Sequence, residues 1–446
     1  MANSYLSRTP GTATSLTTWT LSFWIKRSQI GTDQRIISQG STSNNFMEIA
    51  FDSDSLRWRQ YTGSYEGQLK TNRLFRDVSA WYNIVCQWNT TDGTADDRMK
   101  IYVNGVEETS FSNRNNPTSS RTSLWNSTTG TMDIGRRSPE NDQFLDGYMS
   151  HVAFVDGQVL APTVFGETDS TSGIWKFKNP TGVTWGTNGF HLKFENSGNL
   201  GLDSSGNSNT FTVNGNGRQA LDTPSNVHAT LNPLVNNNSN LVLSNGSNTM
   251  TLGSTSWIGT LGSLGVNTGK WYWEIKVDAN NQMHGILGET ANIKDLSTSN
   301  SGYIGKFSNG YAFYYQSPNA RKQNNNSHTN YGAAVSNGDI LMVAFDATNG
   351  TIWVGKNGSW FNSATQSEIE NGTTSNSMYS SIPMTETFFP GACGETNHVA
   401  NYNFGNGFFG TTAITSAGSN GNGSLFEYDV PSGYYALNTK NINTYG

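Results

Sequence analysis

The sequence predicts an all-β protein with two tandem antiparallel β-sandwich domains, and three observations support this fold class. Many short segments alternate apolar and polar residues, which is the period-two pattern of strands with one buried face. Asn-Gly pairs separate several of these segments, and such pairs favour tight hairpin turns. The chain contains 48 glycines and 12% aromatic residues, and long runs of strong helix formers are absent. We therefore expect jelly-roll sandwiches connected by turn-rich loops.

Length and charge limit the classes of function. The 446 residues are enough for two or three domains with cores of their own. Positive side chains number 27 and negative ones 33, which gives a formal net charge of −6 and argues against a nucleic-acid partner. No run of about 18 apolar residues occurs, so we expect no membrane insertion. The N-terminus lacks the apolar segment of a signal peptide, which predicts a protein made in a cytoplasm.

The first predicted domain covers residues 1–215. Its clearest hairpin signal is Asn104-Gly105, which lies between two alternating runs and suits a type I′ turn with positive φ at both positions. A short helical turn is expected within Val159–Glu167. Strands are predicted in Thr18–Ser28, Trp81–Asn89, Arg98–Phe111, Gly147–Gly157 and Gly189–Gly198.

The second predicted domain covers residues 241–446 and includes a C-terminal extension. Residues 216–240 contain two prolines and no sustained alternation, so we predict that they form a linker along the surface. In the strand "KWYWEIKVD", one face is expected to be buried and carries Trp271, Trp273, Ile275 and Val277. The other face is expected to be solvated and carries Tyr272, Glu274, Lys276 and Asp278.

The second domain resembles SPRY domains. The family's order is a Gly-x-x-Tyr-Trp-Glu strand, a Gly-hydrophobic-Gly strand, and a Gly-Asp-hydrophobic segment followed by an Asn-Gly turn. The matching residues lie in Gly269–Val277, Gly285–Glu289, Gly338–Gly358 and Phe388–Gly394. In SPRY relatives, loops at one end of the sandwich bind a peptide or protein, so the resemblance implies a binding role.

The first domain resembles laminin-G-like, concanavalin A-like sandwiches. A strand with a tryptophan, a "W-x-hydrophobic" strand, a "YVNG" hairpin and a "G-x-hydrophobic" strand follow one another in the family's order. The segments that match are "LSFWIKRS", "WYNIVCQWN", "MKIYVNG" and "DGYMSHVAFVDGQVLAPTVFGE". The resemblance implies a lectin-like sandwich, in a fold whose relatives include rim calcium sites and glycosidases.

The junction and the C-terminus resemble virion proteins of marine tailed bacteriophages, in "GFHLKFENSGNLGLDSSGNSNTF", "DTPSNVHATLNPL" and "PSGYYALNTKNI". The resemblance implies a tail fibre or other surface structural component, located on the virion. Other virion proteins and a host-surface glycan or protein are the implied partners, and we expect a homo-oligomer. Two alternatives remain open: a capsid decoration or head-fibre protein that contacts mainly virion subunits, and a polysaccharide-acting hydrolase.

The carboxylates do not match a glycosidase pattern. Glycoside cleavage requires two carboxyl groups that face one bond. Glu427 and Asp429 have the spacing of one strand face, but Ser432 stands where retaining glucanases of this fold carry a third acid. We therefore predict no catalytic residues and no enzymatic activity.

No metal site or cofactor is predicted. The six histidines are scattered, and Cys86 and Cys393 are expected to be buried free thiols. The acidic loops Asp92–Asp97 and Asp203–Asn209 could offer oxygen ligands to Ca²⁺, although such loops are more often plain turns.

The candidate binding region is the segment Tyr314–Tyr331, which we predict to be a long polar loop, together with the turn at Trp360. In "GYAFYYQ", strand alternation forces some aromatic side chains outward, where they form either a docking patch or a second buried face. The candidate binding residues are Tyr314, Tyr315, Arg321, Lys322, Tyr331 and Trp360.

Overall fold

The structure, a computed structural model, describes residues 3–235, 238–253, 256–278, 281–297, 302–316, 319–395 and 397–446. The chain folds into two compact units, Met1–Gln219 and Ala220–Gly446. Strands dominate both units, and each contains two large antiparallel sheets, so the predicted all-β sandwich fold is confirmed. Within the described part of the chain, no helix combines the length and apolarity needed to cross a lipid bilayer.

The first unit consists of strands and two short 3₁₀ helices, Ala95–Asp97 and Pro162–Val164. Its strands are β1 (Tyr5–Arg8), β2 (Thr18–Arg27), β3 (Gln34–Thr42), β4 (Asn45–Asp52), β5 (Ser55–Thr62), β6 (Tyr65–Leu74), β7 (Tyr82–Asn89), β8 (Met99–Val103), β9 (Val106–Glu107), β10 (Phe111–Asn115), β11 (Thr131–Ile134), β12 (Gly147–Asp156), β13 (Gly166–Thr168), β14 (Trp175–Phe177), β15 (Phe190–Leu192) and β16 (Thr212–Asn214).

Two antiparallel sheets form the first sandwich. One has the order β10-β6-β5-β4-β3-β11-β1-β16 and the other β15-β12-β2-β7-β8-β9. Their facing side chains form an apolar core with fully buried tryptophans at its centre. The ring centroid of Trp19 lies 5.5 Å from that of Trp58, 6.1 Å from that of Trp88 and 5.2 Å from that of Trp125. This aromatic contact joins the two sheets.

Most strand predictions for the first unit are confirmed. Asn104 and Gly105 adopt φ values of 49° and 79°, as the predicted β8–β9 hairpin requires. The short helical turn predicted within Val159–Glu167 is the 3₁₀ helix Pro162–Val164. Gly189–Gly198 contains a strand of only three residues. The four-strand meander β3 to β6 was not among the predicted strands.

The segment that follows β12 covers the outer face of the six-stranded sheet. Val85 and Val155 project from the sheet into a small apolar cluster with Phe165. Trp175 of β14 lies over the same sheet, and its indole Nε1 donates a hydrogen bond of 3.0 Å to Asn83 Oδ1. This face is therefore closed by a third layer.

The described residues of the second unit form strands, three short α-helices and two 3₁₀ helices, Ile304–Lys306 and Phe361–Ser363. The helices are α1 (Ile293–Ser297), α2 (Gln366–Glu370) and α3 (Thr439–Tyr445). The strands are β17 (Leu241–Ser244), β18 (Thr249–Leu252), β19 (Ile258–Leu261), β20 (Lys270–Val277), β21 (Gln282–Gly288), β22 (Gly310–Gln316), β23 (Asn319–Asn324), β24 (Ser327–Asn330), β25 (Ile340–Asp346), β26 (Thr351–Lys356), β27 (Ser359–Trp360), β28 (Phe388–Gly394), β29 (His398–Asn403), β30 (Phe408–Phe409), β31 (Thr412–Ala413) and β32 (Tyr435–Ala436).

The second sandwich is built in the same way as the first. One sheet has the order β17-β18-β29-β20-β25-β26-β27, with β32 paired in parallel to β20, and the other β19-β28-β21-β22-β23-β24. Trp271 and Trp273 meet Phe313 and Phe388 in the core between them. The predicted buried face of β20 is therefore confirmed.

Both outer faces of the second sandwich are also covered. On the six-stranded sheet, Met283 and Leu287 pack with Leu296 of α1. On the other sheet, the ring of Tyr272 packs edge-on against Phe426, with centroids 4.9 Å apart. Each sheet of this unit thus carries an apolar layer over the outer face of its central strands, whereas the edge strand β24 is exposed.

The segment predicted as a linker, 216–240, differs from that prediction. The boundary between the units falls after Gln219, and Ala229 and Leu231 are fully buried in the core of the second unit. Ala229 N–H donates to the carbonyl of Leu437 over 2.9 Å, and Leu231 N–H donates to that of Ser247 over 2.8 Å. Two apolar side chains with paired backbone groups therefore anchor this segment, although its described residues form no long strand.

Candidate functional site

The segment predicted as a binding loop is a pair of hairpins. Its described residues form the end of β22, then β23 and β24, at the edge of the six-stranded sheet of the second unit. Residues 317–318, within the segment, lie outside the described residues. The loop prediction is therefore wrong, because strand pairing fixes the orientation of each side chain.

Two of the six predicted binding residues are in the core. Tyr315 is 1% exposed and Tyr331 is 2% exposed. The ring of Tyr315 lies 5.9 Å from that of Phe313, and the ring of Tyr331 lies 6.1 Å from that of Phe361. Of the two interpretations of "GYAFYYQ", the second buried face holds for Tyr315, and neither Tyr315 nor Tyr331 can contact a ligand at the surface.

The other four predicted residues are partly exposed but do not form one site. Tyr314 packs edge-on against Trp257 with ring centroids 5.6 Å apart. Arg321 Nη1 lies 3.3 Å from His328 Nε2. Lys322 Nζ donates to the carbonyl of Met378 over 2.7 Å, and Trp360 packs near Tyr272 at 6.4 Å. Adjacent strand residues point to opposite faces, so Arg321 and Lys322 cannot act together.

Glu274 is fully buried, so the prediction of a solvated face on β20 is wrong. Its carboxylate accepts hydrogen bonds of 2.8 Å from the amide N–H of Glu427 and of Tyr428, and one of 3.0 Å from the hydroxyl of Tyr272. Burial raises the pKa of Glu274 to about 7, although these hydrogen bonds oppose the shift. The C-terminal segment that covers this face provides the two amides.

The carboxylates of Glu427, Asp429 and Asp278 hold local structure. Glu427 accepts from the amide of Thr415 over 2.6 Å, and Asp429 accepts from the amide of Ser419 over 2.6 Å. Asp278 Oδ1 accepts from the side-chain amide of Gln282 over 3.1 Å. These hydrogen bonds stabilise turns and strand ends, so the carboxylates have structural roles.

The acidic loops proposed as calcium ligands are turns in the structure. Asp203 accepts hydrogen bonds from the backbone amides of His191, Ser205 and Asn209 over 2.8–2.9 Å. In the other loop, Asp97 pairs with the Lys100 ammonium at 2.7 Å. Across the described residues, no group of three or more His, Cys, Asp or Glu side chains is placed to hold a metal ion.

Cys86 and Cys393 are buried and free, as predicted, and burial raises the pKa of both thiols. The expectation that the histidines are scattered is wrong for one pair. His151 Nδ1 lies 3.4 Å from His191 Nε2, and the ring of His151 stacks on Phe177 with centroids 3.5 Å apart. Burial lowers the pKa of His151 to about 3 and of His191 to about 4, so this pair is neutral near pH 7.

A polar and aromatic surface on the first unit, the outer face of its eight-stranded sheet, was not among the predicted sites. We call the outward side chains of β3 to β6 and β10 the meander face. At one end of it, the ring of Tyr61 lies 5.6 Å from that of Phe46 and 5.0 Å from that of Tyr65. Tyr65 is 49% exposed. The guanidinium of Arg59 lies 5.0 Å from the Phe46 ring and 5.7 Å from the Tyr65 ring.

Positive side chains occupy the middle and the other end of the meander face. Glu48 accepts from Arg35 Nε over 2.7 Å, from Arg59 Nε over 2.7 Å and from Arg57 Nη2 over 3.2 Å. Burial would raise the pKa of Glu48, but the charges of Arg35, Arg59 and Arg57 outweigh it and lower that pKa. Lys70 Nζ lies 3.0 Å from Asp52 Oδ2, which also pairs with Arg57. Three cations on one buried carboxylate leave a local positive excess.

Amide side chains border this charged region. In the edge strand β10, Asn113 pairs with Lys70 of β6, and Asn115 pairs with Gln68. In an antiparallel sheet, directly opposed residues point to the same face, so Asn113 faces outward beside Lys70, and Asn115 beside Gln68. The sequence signal for this surface was the alternation in "SLRWRQYT" and "NFMEIAFD", whose polar positions hold these charges.

Comparison with known proteins gives likenesses for parts of the chain. No curated protein sequence matches it. The SPRY domain of human HERC1 is similar at 16% identity and a TM-score of 0.28, covering 36% of this chain and 91% of that one. The TRIM65 PSpry domain is similar at 14% identity and a TM-score of 0.31, covering 39% and 88%. Stonustoxin is similar at 16% identity and a TM-score of 0.30, covering 39% of this chain and 27% of that one.

A family model matches the first unit. Residues 2–164 match Laminin_G_3, described as the concanavalin A-like lectin/glucanases superfamily. The match agrees with the two-sheet sandwich of this unit and with the laminin-G-like resemblance of its strands. A lectin-like fold of this kind suggests a binding role.

Proposed function

We propose that the chain is a non-enzymatic structural protein of a tailed-phage particle, a tail-fibre or surface adhesion component that binds a glycan or protein on the host cell. The lectin-like match of residues 2–164 supports binding. The resemblance of the junction and C-terminal segments to virion proteins supports the place on the particle. The meander face, and not the Tyr314–Tyr331 segment, is the surface to which we assign recognition.

One observation carries the binding role. Of the four outer sheet faces, three are covered by apolar layers: one in the first unit and both in the second. The fourth is the meander face, whose outward side chains are charged, amide-bearing or aromatic. Glu48 and Arg35 are buried within this face, so the side chains that it displays are those of Tyr65, Lys70 and the edge-strand residues Asn113 and Asn115. Exposed side chains on a rigid sheet form a suitable recognition surface, because the strands hold each one in place.

The non-enzymatic part of the proposal is supported by the roles of the carboxylates. Glu274 is buried beneath the C-terminal segment, and Glu427 and Asp429 accept backbone hydrogen bonds. A retaining or inverting glycosidase needs two carboxyl groups open to the substrate, one of them a proton donor. The contacts of these three side chains favour a structural role.

The proposal is tested with the purified full chain and cells of the phage's host. We expect the chain to bind the cells, to release no oligosaccharide from their surface material, and to be located on the tail by immunolabelling of virions. Labelling on the head would replace the tail-fibre assignment with capsid decoration. Release of oligosaccharide would identify a hydrolase and contradict the proposal.

A further inference from the structure

We infer that the meander face binds an acidic polysaccharide, one that carries carboxylate or sulfate groups; this inference rests on the proposed binding function and specifies its ligand. The shared chemistry is an anionic group on a chain of hydroxyl-bearing sugar rings. Three features of the face fit this chemistry: a positive excess, an exposed aromatic ring and a row of amides.

The positive excess comes from the ion-pair network. Four positive side chains, Arg35, Arg57, Arg59 and Lys70, share two carboxylates, Glu48 and Asp52. The chain as a whole has a formal net charge of −6, so this excess is local.

One of these cations is open to a ligand. The Lys70 side chain is 33% exposed, more than those of Arg57 and Arg59. An anion beside the partly exposed Lys70 ammonium would form a charge-assisted contact with it.

The aromatic end supplies a surface for a sugar ring. Tyr65 is 49% exposed, and its contacts with Tyr61 and Arg59 hold its orientation. Apolar faces of sugar rings pack on such amphipathic side chains, because one face of the aromatic ring stays open while its hydroxyl remains hydrated. Tyr65 and Lys70 lie five residues apart on β6, which is on the order of 16 Å along a strand. A ligand that contacts both must therefore be an extended oligomer.

The amides fit the hydroxyl groups of such an oligomer. Asn113, Asn115 and Gln68 lie beside Lys70 on the two neighbouring strands. An amide offers both donors and an acceptor, which suits a hydroxyl that also donates and accepts. Of the three, Asn115 already donates from Nδ2 to the carbonyl of Tyr65 over 3.0 Å.

A polynucleotide fits the same face less well. It carries one phosphate per nucleotide and binds best along a continuous basic track. Here Asp52 and Glu48 interrupt the positive side chains. A polysaccharide whose acidic groups are spaced apart fits this alternation of positive and negative side chains better.

The test measures binding of the full chain to polygalacturonate, heparin, dextran and single-stranded oligothymidylate by isothermal titration. We expect binding to polygalacturonate or heparin, weakened by salt, and roughly tenfold lower affinity in Lys70→Gln and in Tyr65→Ala. Lys100→Gln is the matched control, since Lys100 is a strand lysine that pairs with Asp97 at 2.7 Å and lies on the other sheet. Circular dichroism of each variant verifies that it is folded.

Four outcomes overturn the inference. The first is that Lys70→Gln binds the acidic polymers as tightly as the unchanged chain, and the second is that Lys100→Gln loses as much affinity as Lys70→Gln. The third is that dextran binds as tightly as the acidic polymers, and the fourth is that oligothymidylate binds more tightly than they do. Each of these would leave a binding function in place. If the chain binds neither host cells nor any of these polymers, the proposed function is overturned as well.

Discussion

The carboxylate of Glu274 accepts a hydrogen bond of 2.8 Å from the amide N–H of Tyr428, 154 positions later in the chain. The neighbouring amide of Glu427 donates to the other carboxylate oxygen, also over 2.8 Å. A buried side chain of a central strand thereby binds the backbone of the segment that covers it. This contact explains why a charged residue occupies a position with 0% exposure.

We expect Glu274 to make the stability of the second unit depend on pH. Its ordinary pKa is 4.5, and burial raises it to about 7 in the folded chain. Between these values the folded state holds the proton more strongly than the unfolded state, so the added stability is complete below about pH 4.5 and is lost as pH rises through about 7. The free energy of unfolding should therefore fall by about 3 kcal/mol across this window from this group alone.

The variant Glu274→Gln isolates the pH-dependent contribution of Glu274 to the free energy of unfolding. The variant lacks the titration, so its free energy of unfolding should not change across this pH window through this position. Urea denaturation at both ends of the pH window measures the difference between the two proteins. If that difference is the same at both ends, Glu274 does not titrate in this range.

The sequence predicted the elements whose signals are local. Alternation in Thr18–Ser28 and the Asn104-Gly105 pair each lie within a few residues of the structure they specify, and both predictions are confirmed. Phe426 covers Tyr272 from a distant part of the chain. Alternation along β20 shows that two faces exist, but it contains no information about a covering segment that follows some 150 residues later.

The candidate site was missed for a related reason. Arg35, Arg57 and Arg59 come from two strands and meet Glu48 from a third. Their common site depends on the register of β3, β4 and β5, which places Ser38 beside Glu48 and Glu48 beside Arg59. A single sequence fixes which side of a strand a residue occupies, whereas register depends on packing across the sandwich.

Trp175 is expected to hold the covering layer of the first unit in place. Its ring packs so closely over Gly105 and Gly166 that a Cβ on either would lie within about 2.5 Å of it. Trp175→Ala should increase amide hydrogen exchange in residues 158–185 by roughly 30-fold, which corresponds to a loss of about 2 kcal/mol. Trp175→Phe keeps much of the packing but loses the bond to Asn83, so an intermediate increase is expected. Unchanged exchange in both variants would show that the layer is held by other contacts.

Glu48 is expected to be essential to the stability of the meander face. Glu48→Gln leaves Arg35, Arg57 and Arg59 without their shared carboxylate, and removing one member of a buried ion pair costs about 3 kcal/mol. Asp142→Asn is the control: Asp142 pairs with Arg137 but its side chain is 46% exposed. We expect that variant to lose less than about 1 kcal/mol. Chemical denaturation compares the two, and equal losses would contradict the structural role of the buried cluster.

Substitutions of Leu231 and Leu234 test whether residues 216–240 are a structural segment of the second unit or a free linker. Leu231 is 0% exposed in the core of the second unit, whereas Leu234, three residues later, is 47% exposed. Leu231→Ala removes buried methyl groups and leaves a cavity, so the free energy of unfolding of the second unit should fall by about 3 kcal/mol. Leu234→Ala makes the same chemical change at the surface and should cost less than about 0.5 kcal/mol. Urea denaturation measures both, and the backbone bonds of Ala229 and Leu231 remain in each variant, so the comparison reports side-chain burial alone. A free linker would give two small and equal effects, since neither leucine would then leave water on folding.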